Sequence, residues 1–369
     1  MIKLKYENLM KQFPGSDLQA VSELNMEVPE GEICILVGPS GCGKTTTMKM
    51  TNRLIEPSSG HIYIDGVDNR EIDPIKLRLG IGYVIQEIGL FPHMTIAENV
   101  ATVLVEKKWN KEEIRQRVDE MLELMGLDPE IYRKRRPSDL SGGQRQRVGV
   151  ARALASNPPI MLMDEPFGAV DPITRARLQN EFLRLQEQMR KTIIFVTHDI
   201  DEAIKMGDRI AVMNQGKLVQ FATPDELLSM PANEFVGNLV GGNRSIKRLN
   251  LIRVDEVELR KLTKLTVAHT RQQAAEAVEN NPLNLAVVVD GQGKLLGLVS
   301  RSSLRHEGEQ VKDLYTEVHD IVGLGSTLND TLSIMLGYGD GFAVVVDREG
   351  KPLGAITVDD IFSAVKEDE

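Results

Sequence analysis

The order of apolar and polar positions predicts an α/β fold for the larger, N-terminal part of the chain. Short apolar runs at residues 33–37, 81–85, 159–163 and 192–196 are typical of strands buried on both faces of a parallel sheet. Residues 111–125 instead carry apolar side chains at helical spacing, with charged residues on the opposite face. We therefore expect an α/β unit into which a helical subdomain is inserted at about residues 92–158.

The residues that follow the first predicted strand form a candidate phosphate-binding loop. The stretch from Gly38 to Thr45 fits the pattern G-x-x-x-x-G-K-[ST] at every fixed position, and a predicted helix follows it. Glycines let backbone N–H groups converge on phosphate oxygens, and a helix N-terminus adds the positive end of its dipole. A glycine turn that binds nothing is the alternative, but the flanking strand and helix favour a nucleotide site. The predicted ATP contacts are Gly38, Pro39, Ser40, Gly41, Cys42, Gly43, Lys44, Thr45 and Thr46, with Lys44 reaching the β- and γ-phosphates.

Further candidate catalytic residues stand where predicted strands end. Gln86, Asp164, Glu165 and His198 each come at or just after the carboxyl end of one of the apolar runs. Ligands of open α/β sheets bind at that end. An aspartate there can hold Mg²⁺, and a glutamate one residue on can polarise a water at the γ-phosphate. Asp-Glu after a strand is by itself more often a helix cap, but the phosphate loop favours the catalytic interpretation.

Composition excludes several classes of function. The chain has 369 residues, which predicts two or three domains, and its formal net charge of -10 argues against a general nucleic-acid binder. No apolar run approaches the ~18 residues that span a bilayer, and the N-terminus lacks the apolar core of a signal peptide. The two cysteines, Cys34 and Cys42, fit a reducing compartment. We therefore expect a cytosolic protein whose membrane role depends on a partner.

One more motif gives the chain a family resemblance. Ser141 can cap the helix predicted to follow it, while Gly142 and Gly143 let backbone N–H groups approach an anion. Together with Gln144, this stretch resembles the signature sequence of ATP-binding-cassette ATPases. The order of motifs is similar to that family over roughly residues 1–235, namely phosphate loop, Gln86, signature, Asp164-Glu165, Asp171 and His198.

The resemblance implies a role for each matching residue. Glu165 would be the general base, His198 the switch residue at the γ-phosphate, and Gln86 a lid residue that joins Thr45 and Asp164 at Mg²⁺. Phe13, which by position alone could equally be a core residue, would lie under the adenine. The remaining matches would complete the ATP site of a second subunit, namely Ser141, Gly142, Gly143, Gln144 and Asp171. Such proteins work as head-to-tail homodimers with two ATP molecules between the subunits.

The rest of the chain contains an internal repeat. Glycines near residue 242 predict a boundary that closes an ATPase domain at residues 1–242. The sequence of residues 285–297 then recurs at 342–354, and each copy predicts strand, turn, strand and helix. The copies resemble paired CBS modules, an α+β pair at residues 243–305 and 306–369.

The CBS resemblance implies a nucleotide site in one copy. Thr357 and Asp360 of the second copy match residues that such modules use on a nucleotide ribose and phosphate, whereas the first copy has Ser300 and Ser303. We expect this pair to sense an adenine nucleotide (a cyclic dinucleotide included), to sense ionic strength, or to brace the dimer passively. The ionic-strength hypothesis rests on the acidic end at residues 367–369 and on a basic cluster of Arg244, Lys247, Arg248, Arg253, Arg260, Lys261 and Lys264.

Both resemblances together imply the ATPase subunit of an importer for osmoprotectant quaternary amines such as glycine betaine, carnitine or choline. We expect ATP and Mg²⁺ as cofactors, with permease subunits in the membrane and a substrate-binding protein as partners. The chain would sit peripherally on the cytoplasmic face of a prokaryotic membrane. The alternatives are an importer ATPase for another small solute, such as an amino acid, or a soluble ABC protein acting on DNA or ribosomes.

Overall fold

A computed structural model describes residues 1–85, 89–168 and 170–366 of the chain. The chain divides into two compact units, Met1–Gly241 and Gly242–Glu369. Each unit has its own cluster of buried apolar side chains. Among the described residues, none of the helices combines the length and apolar character needed to cross a bilayer.

The N-terminal unit alternates strands and helices, as the apolar runs predict. Its strands are β1 (Ile2–Gln12), β2 (Gln19–Pro29), β3 (Ile33–Val37), β4 (Ser59–Ile64), β5 (Val67–Asp68), β6 (Ile81–Val84), β7 (Ile160–Asp164), β8 (Thr192–Thr197), β9 (Arg209–Asn214) and β10 (Lys217–Ala222). Its helices are α1 (Lys44–Thr51), α2 (Pro74–Leu79), α3 (Ile96–Glu106), α4 (Lys111–Leu124), α5 (Pro129–Tyr132), α6 (Gly142–Ala155), α7 (Pro172–Met189), α8 (Ile200–Met206), α9 (Pro224–Ser229) and α10 (Glu234–Val240).

A six-stranded sheet forms the centre of this unit, in the order β10-β9-β3-β8-β7-β6. All its strands run parallel except β10, which is antiparallel to β9. Every residue of β3, β7 and β8 is buried, because helices cover both faces of a parallel sheet. The carboxyl ends of these strands therefore meet at one edge, where the polar residues of the site follow them. The predicted α/β class is confirmed.

Two smaller parts flank the central sheet. An antiparallel sheet in the order β2-β1-β4-β5 packs against α1 and the parallel sheet through a shared apolar cluster. A group of helices, α3 to α6, is inserted between β6 and β7. Reciprocal bonds between the cap residue and the third helical residue begin α3 at Thr95 and α4 at Asn110.

The C-terminal unit contains two similar three-stranded sheets, as the internal repeat predicts. Its elements are α11 (Arg244–Leu249), β11 (Thr263–Thr266), α12 (Arg271–Glu279), β12 (Leu285–Val289), β13 (Leu295–Ser300), β14 (Ile321–Gly323), α13 (Leu328–Tyr338), β15 (Phe342–Val346), β16 (Pro352–Thr357) and α14 (Val358–Lys366). The sheets are β11-β12-β13 and β14-β15-β16, each with one parallel and one antiparallel pairing.

The two copies differ after their last strand, and here the prediction of a helix in each copy is wrong. Helix α14 follows β16, but only a single 3₁₀ turn, Ser303–Arg305, follows β13. Reciprocal bonds between Ser300 and Ser303 open this turn as a helix cap would. The helix does not continue, because the next carbonyl oxygens accept from the guanidinium of Arg271 and not from backbone N–H groups of a further turn.

The lead-in segment of each copy pairs with the other copy's sheet. Arg260 and Ala355 exchange both backbone hydrogen bonds, and Leu298 and Thr316 do the same. The approach is close at Gly297, where an added Cβ would lie 2.4 Å from the Thr316 carbonyl oxygen. Glycine is therefore required at this crossing, and the two sheets are interlocked by their own backbones.

A buried carboxylate without a partner lies at the start of β14. Asp320 is fully buried, and neither of its carboxylate oxygens has a hydrogen-bond partner in the described part of the chain. Burial raises the pKa of Asp320, the nearby Asp340 adds to the rise, and His319 opposes it. A carboxyl whose pKa is raised by folding makes the protein less stable as the pH rises. The loss begins near the pKa of the unfolded chain and is complete above the pKa of the folded chain, because burial opposes ionisation.

We therefore expect Asp320→Asn to raise the melting temperature of the C-terminal unit at pH 8 by about 4 °C. The gain should shrink as the pH falls to 4, where the carboxyl is protonated in the folded chain and only about half ionised in the unfolded chain. Differential scanning calorimetry at both pH values measures it, with Glu317→Gln, at an exposed carboxylate of the same unit that does not affect the pKa of Asp320, as control. An equal shift at both pH values, or a loss of stability at pH 8, would contradict the assignment.

Candidate active site

The phosphate loop joins β3 to α1 and encloses its own lysine. The side chain of Lys44 is buried, and its Nζ donates to the carbonyl oxygens of Gly38 at 2.7 Å and Pro39 at 2.9 Å. The ammonium therefore lies inside the curve of the loop. A phosphate would replace these carbonyls as its partner, because charge-assisted bonds to phosphate are stronger.

The last glycine of the loop is required by its backbone and by its neighbour. Gly43 caps α1 with a φ of 105°, and a Cβ there would lie 2.3 Å from the carbonyl oxygen of Ala20 in β2. Gly41 also has a positive φ, of 80°, but an added Cβ would meet open space. An alanine at Gly41 would therefore meet backbone strain alone, whereas an alanine at Gly43 would meet backbone strain and steric overlap.

We expect Gly43→Ala to lower the free energy of unfolding by about 3 kcal/mol and Gly41→Ala by about 1 kcal/mol. Both substitutions strain the left-handed backbone, but only the first forces β2 away from the loop. Urea denaturation without nucleotide measures the loss through the fluorescence of Trp109, the chain's single tryptophan. Equal losses would show that the contact with Ala20 does not matter.

Oxygen ligands for a divalent cation come together below the loop. The hydroxyl of Thr45 donates to Oδ1 of Asp164 at 3.1 Å, which joins the first turn of α1 to the end of β7. Burial raises the pKa of Asp164, while the bond from Thr45 and the charge of Lys49 oppose the rise. A hydroxyl and a carboxylate are the hard donors that Mg²⁺ prefers, so these residues fit such an ion.

A carboxylate and an imidazole meet at the ends of β7 and β8. Oε1 of Glu165 lies 3.1 Å from Nδ1 of His198. Glu165 has a φ of 44°, and its backbone N–H donates to the carbonyl of Val196 in the neighbouring strand. A left-handed conformation is unfavourable outside glycine, so the surrounding contacts must hold the turn at Glu165 in place. The turn therefore aims Glu165 at His198.

The predicted signature and Asp171 form a second group near each other. Ser141 caps α6 by accepting from the N–H of Gln144 at 3.3 Å, and Gln144 Oε1 accepts from the N–H of Ser141 at 2.9 Å. Asp171 caps α7 by accepting from the N–H of Thr174 at 3.0 Å, and this bond lowers the pKa of Asp171. A Cβ at Gly143 would lie 3.6 Å from the Thr174 methyl, while one at Gly142 would meet open space. Two helix N-termini thus stand side by side with accessible backbone.

Two further predicted residues have different outcomes. Phe13 lies in the loop between β1 and β2, partly exposed, with Nζ of Lys11 at 5.2 Å from its ring centroid. It is therefore outside the apolar core, and the start of β2 passes against Gly43 of the phosphate loop. Gln86 lies outside the described residues.

The predicted regulatory pair of the C-terminal unit is brought together and has an additional partner. Asp360 accepts from the hydroxyl of Thr357 at 2.6 Å and from its backbone N–H at 2.9 Å. The guanidinium of Arg260 also binds Asp360, through Nε and Nη2 at 2.8 Å. Burial opposes ionisation of Asp360, but these bonds hold its pKa below the usual range.

The sequence does not predict the contacts of two arginines, one beside Asp171 and one at Asp360. The sequence places Arg260 in a basic cluster, and nothing in it pairs this arginine with a residue as far along the chain as Asp360. Arg175 donates to the carbonyl of Val170 beside the Asp171 cap. Its spacing of four residues from Asp171 was a usable signal, since such residues lie on one side of a helix.

The residues at the edge of the parallel sheet, namely Lys44, Thr45, Asp164, Glu165 and His198, suit transfer of a phosphoryl group to water. They combine an ammonium inside a glycine loop, hard oxygen ligands, and a carboxylate held against an imidazole. Phosphoryl transfer needs positioning and charge neutralisation of this kind and little covalent chemistry from the protein.

Comparison with known proteins agrees with this chemistry. A family model for ABC transporters matches residues 21–168, and a model for the CBS domain matches residues 254–309 and 311–367. The osmoprotectant import ATP-binding protein OsmV of Salmonella typhimurium is 47% identical over 96% of this chain and 94% of its own length. The glycine betaine/carnitine/choline transport ATP-binding protein OpuCA of Bacillus subtilis is 46% identical over 99% of this chain and 98% of its own. A dimeric post-hydrolysis structure of the ATP-binding cassette MJ0796, bound to ADP and Pi, has a TM-score of 0.55 at 35% identity and covers 60% of this chain and 98% of that chain.

Proposed function

We propose that this chain, which belongs to the ABC transporter ATP-binding proteins for osmoprotectant import, serves the uptake of a quaternary amine such as glycine betaine, carnitine or choline. The chain is an ATPase whose hydrolysis of ATP is coupled to solute import. The observation that carries the choice of solute is the near-complete match, cassette and CBS pair together, to importer subunits named for these compounds.

We assign the chemical step to the residues at the edge of the parallel sheet. Lys44 neutralises the β- and γ-phosphates within the loop of residues 38–46, Glu165 orients and deprotonates the attacking water, and His198 contacts the γ-phosphate. Mg²⁺, held by Thr45, Asp164 and Gln86, would offset the charge of the phosphates. Phe13 lies under the adenine ring.

We assign the second group to the ATP of another copy of the chain. Ser141, Gly142, Gly143, Gln144 and Asp171 present backbone N–H groups and a carboxylate at an accessible face. A helix N-terminus with open glycines favours a phosphate. Two chains arranged head to tail would each complete the partner's nucleotide site, and the dimeric state of the similar cassette bound to ADP and Pi supports a dimer.

The remaining partners follow from the importer function. Coupling ATP hydrolysis to import requires permease subunits in the membrane, and osmoprotectant capture outside the cell requires a substrate-binding protein. We therefore place the chain peripherally on the cytoplasmic face of a prokaryotic membrane, bound to its permease.

Uptake by the reconstituted complex tests the choice of solute. The chain, its permease and its binding protein are placed in proteoliposomes with ATP, and labelled glycine betaine, carnitine, choline and proline are compared. We expect uptake of at least one quaternary amine, which the Glu165→Gln chain should abolish. Uptake of proline alone would favour an amino-acid importer. Failure to purify with any integral membrane subunit would favour a soluble ABC protein.

For the C-terminal unit we propose a regulatory adenine nucleotide, with a cyclic dinucleotide included in that class. Thr357 and Asp360 would bind ribose hydroxyls, and Arg260 would turn from Asp360 to a phosphate, which guanidinium groups bind strongly. The ionic-strength hypothesis has less support, because Arg260 is paired with Asp360 and the buried Arg248 donates to the carbonyl of Val365. The acidic end at residues 367–369 lies outside the described residues.

A binding measurement on the full chain separates the regulatory hypotheses. Lys44→Met silences the cassette site, after which calorimetry follows titration with ATP, AMP and cyclic di-adenosine monophosphate. We expect one of them to bind, Asp360→Asn to weaken it about tenfold, and Asp359→Asn, an exposed neighbour, to leave it unchanged. Absence of binding would exclude these nucleotides and leave ionic-strength sensing or a passive brace.

A further inference from the structure

A single arginine spans the two loops that follow β7 and β8. Arg175 lies in the first turns of α7, and its Nη2 donates to the carbonyl oxygen of Val170 at 3.0 Å. Its Nη1 lies 3.9 Å from Oδ2 of Asp199. The guanidinium is therefore held between the loop that carries Asp171 and the loop that carries His198.

The contacts of this guanidinium are incomplete. Nε is buried and has no hydrogen-bond partner among the described residues, and the approach to Asp199 is an ion pair longer than a hydrogen bond. A buried donor without an acceptor is unfavourable, and charge-assisted bonds shorten when geometry allows. A small movement of either loop can thus improve the contacts of Arg175.

Each end of the bridge is tied to a site residue. Asp199 directly follows His198 and caps α8 through Oδ1, which accepts from the N–H groups of Asp201 and Glu202. His198 in turn contacts Glu165. At the other end, Val170 precedes Asp171, and Thr174 of the helix that Asp171 caps lies near the signature glycine Gly143, 3.6 Å from where a Cβ would stand.

We propose that Arg175 is a positioning residue that couples the loop at Asp171 to the pair formed by His198 and Glu165. This inference rests on the proposed head-to-tail dimer. When a second chain docks against Asp171, the loop moves, Arg175 draws Asp199 with it, and His198 shifts toward the γ-phosphate. The occupancy of one ATP site thereby sets the hydrolysis rate at the other, and Arg175 itself touches no nucleotide.

Cooperativity of hydrolysis tests the coupling. In the full chain, Arg175→Met keeps the apolar stem and removes the charge. We expect kcat to fall about tenfold and the Hill coefficient for ATP to fall to about 1, with the affinity of a single site unchanged. Arg175→Lys should not restore either value, because one ammonium nitrogen does not span the two acceptors that Nη1 and Nη2 of the guanidinium reach separately. Arg177→Met, an exposed arginine on the same helix, is the control and should match the unaltered chain.

A second variant keeps the test valid if Arg175→Met fails to fold. Asp199→Asn removes the charge but retains a good helix cap, so stability should hold while the Hill coefficient falls. The double variant should be no worse than Arg175→Met alone, because both changes break one link.

The outcomes separate this coupling from the dimer on which it depends. Arg175→Met with the kinetics of the Arg177 control, or a lower kcat and melting temperature at an unchanged Hill coefficient, would overturn the coupling. A Hill coefficient of about 1 in the unaltered chain, with no ATP-dependent dimer in light scattering, would overturn the proposed dimer and the coupling with it.

Discussion

Replacing Glu165 with glutamine is expected to lower kcat at least ~100-fold while ATP binding persists. The amide keeps the size of the side chain but cannot accept the proton of the attacking water. The strained turn at Glu165 and the contact with His198 hold the group in place, so geometry should survive the substitution. Single-turnover hydrolysis together with nucleotide binding measures both quantities.

The same variant reports on association of two chains. With hydrolysis blocked, ATP should hold Glu165→Gln as a dimer in light scattering, whereas the unaltered chain returns to its starting state as ATP is consumed. Glu181→Gln, an exposed glutamate on α7, is a matched control for the loss of one charge. Near-normal turnover in the Glu165 variant would remove this residue from the mechanism.

Lys44→Met is expected to differ from Glu165→Gln in losing ATP binding as well as hydrolysis. Each should fall by at least ~100-fold. The lysine places its charge inside the loop, so its removal leaves the phosphates without their nearest cation. The methionine is close in length, and without ATP the fold should persist. Binding of a fluorescent ATP analogue and steady-state hydrolysis measure the loss.

An exposed lysine supplies the comparison for this second variant. Lys76→Met on α2 changes net charge equally and should leave both quantities unchanged. ATP affinity within threefold of the unaltered chain in Lys44→Met would show that the backbone of the loop carries the binding alone.

Much of the ATPase unit could be predicted because its motifs follow apolar runs, and these runs form neighbouring strands of one parallel sheet. The apolar runs predicted β3, β7 and β8, and because parallel strands end at one edge, they placed Asp164, Glu165 and His198 on the same side of the sheet. The contact between Glu165 and His198 was not predicted. The repeat gave the two similar sheets in the same way.

The remaining features depend on contacts that no local pattern encodes. The pair of Arg260 and Asp360 forms only because a lead-in segment crosses to β16, and sequence alone could not distinguish it from a free basic surface. A turn follows β13 in place of the predicted helix because Arg271, distant in sequence, binds the carbonyl oxygens of Leu304 and His306. Geometry of this kind becomes visible only once the chain is folded.

The interlocked sheets of the C-terminal unit have a consequence for how such a unit can evolve. The lead-in at Arg260 borders β16, and the lead-in at Thr316 borders β13, so each copy covers a strand edge that belongs to the other. A gene that lost one copy would encode an unpaired lead-in and a bare edge, which invites aggregation. We therefore expect a lineage to discard the pair or to keep it whole, because half of it would expose an unpaired strand edge.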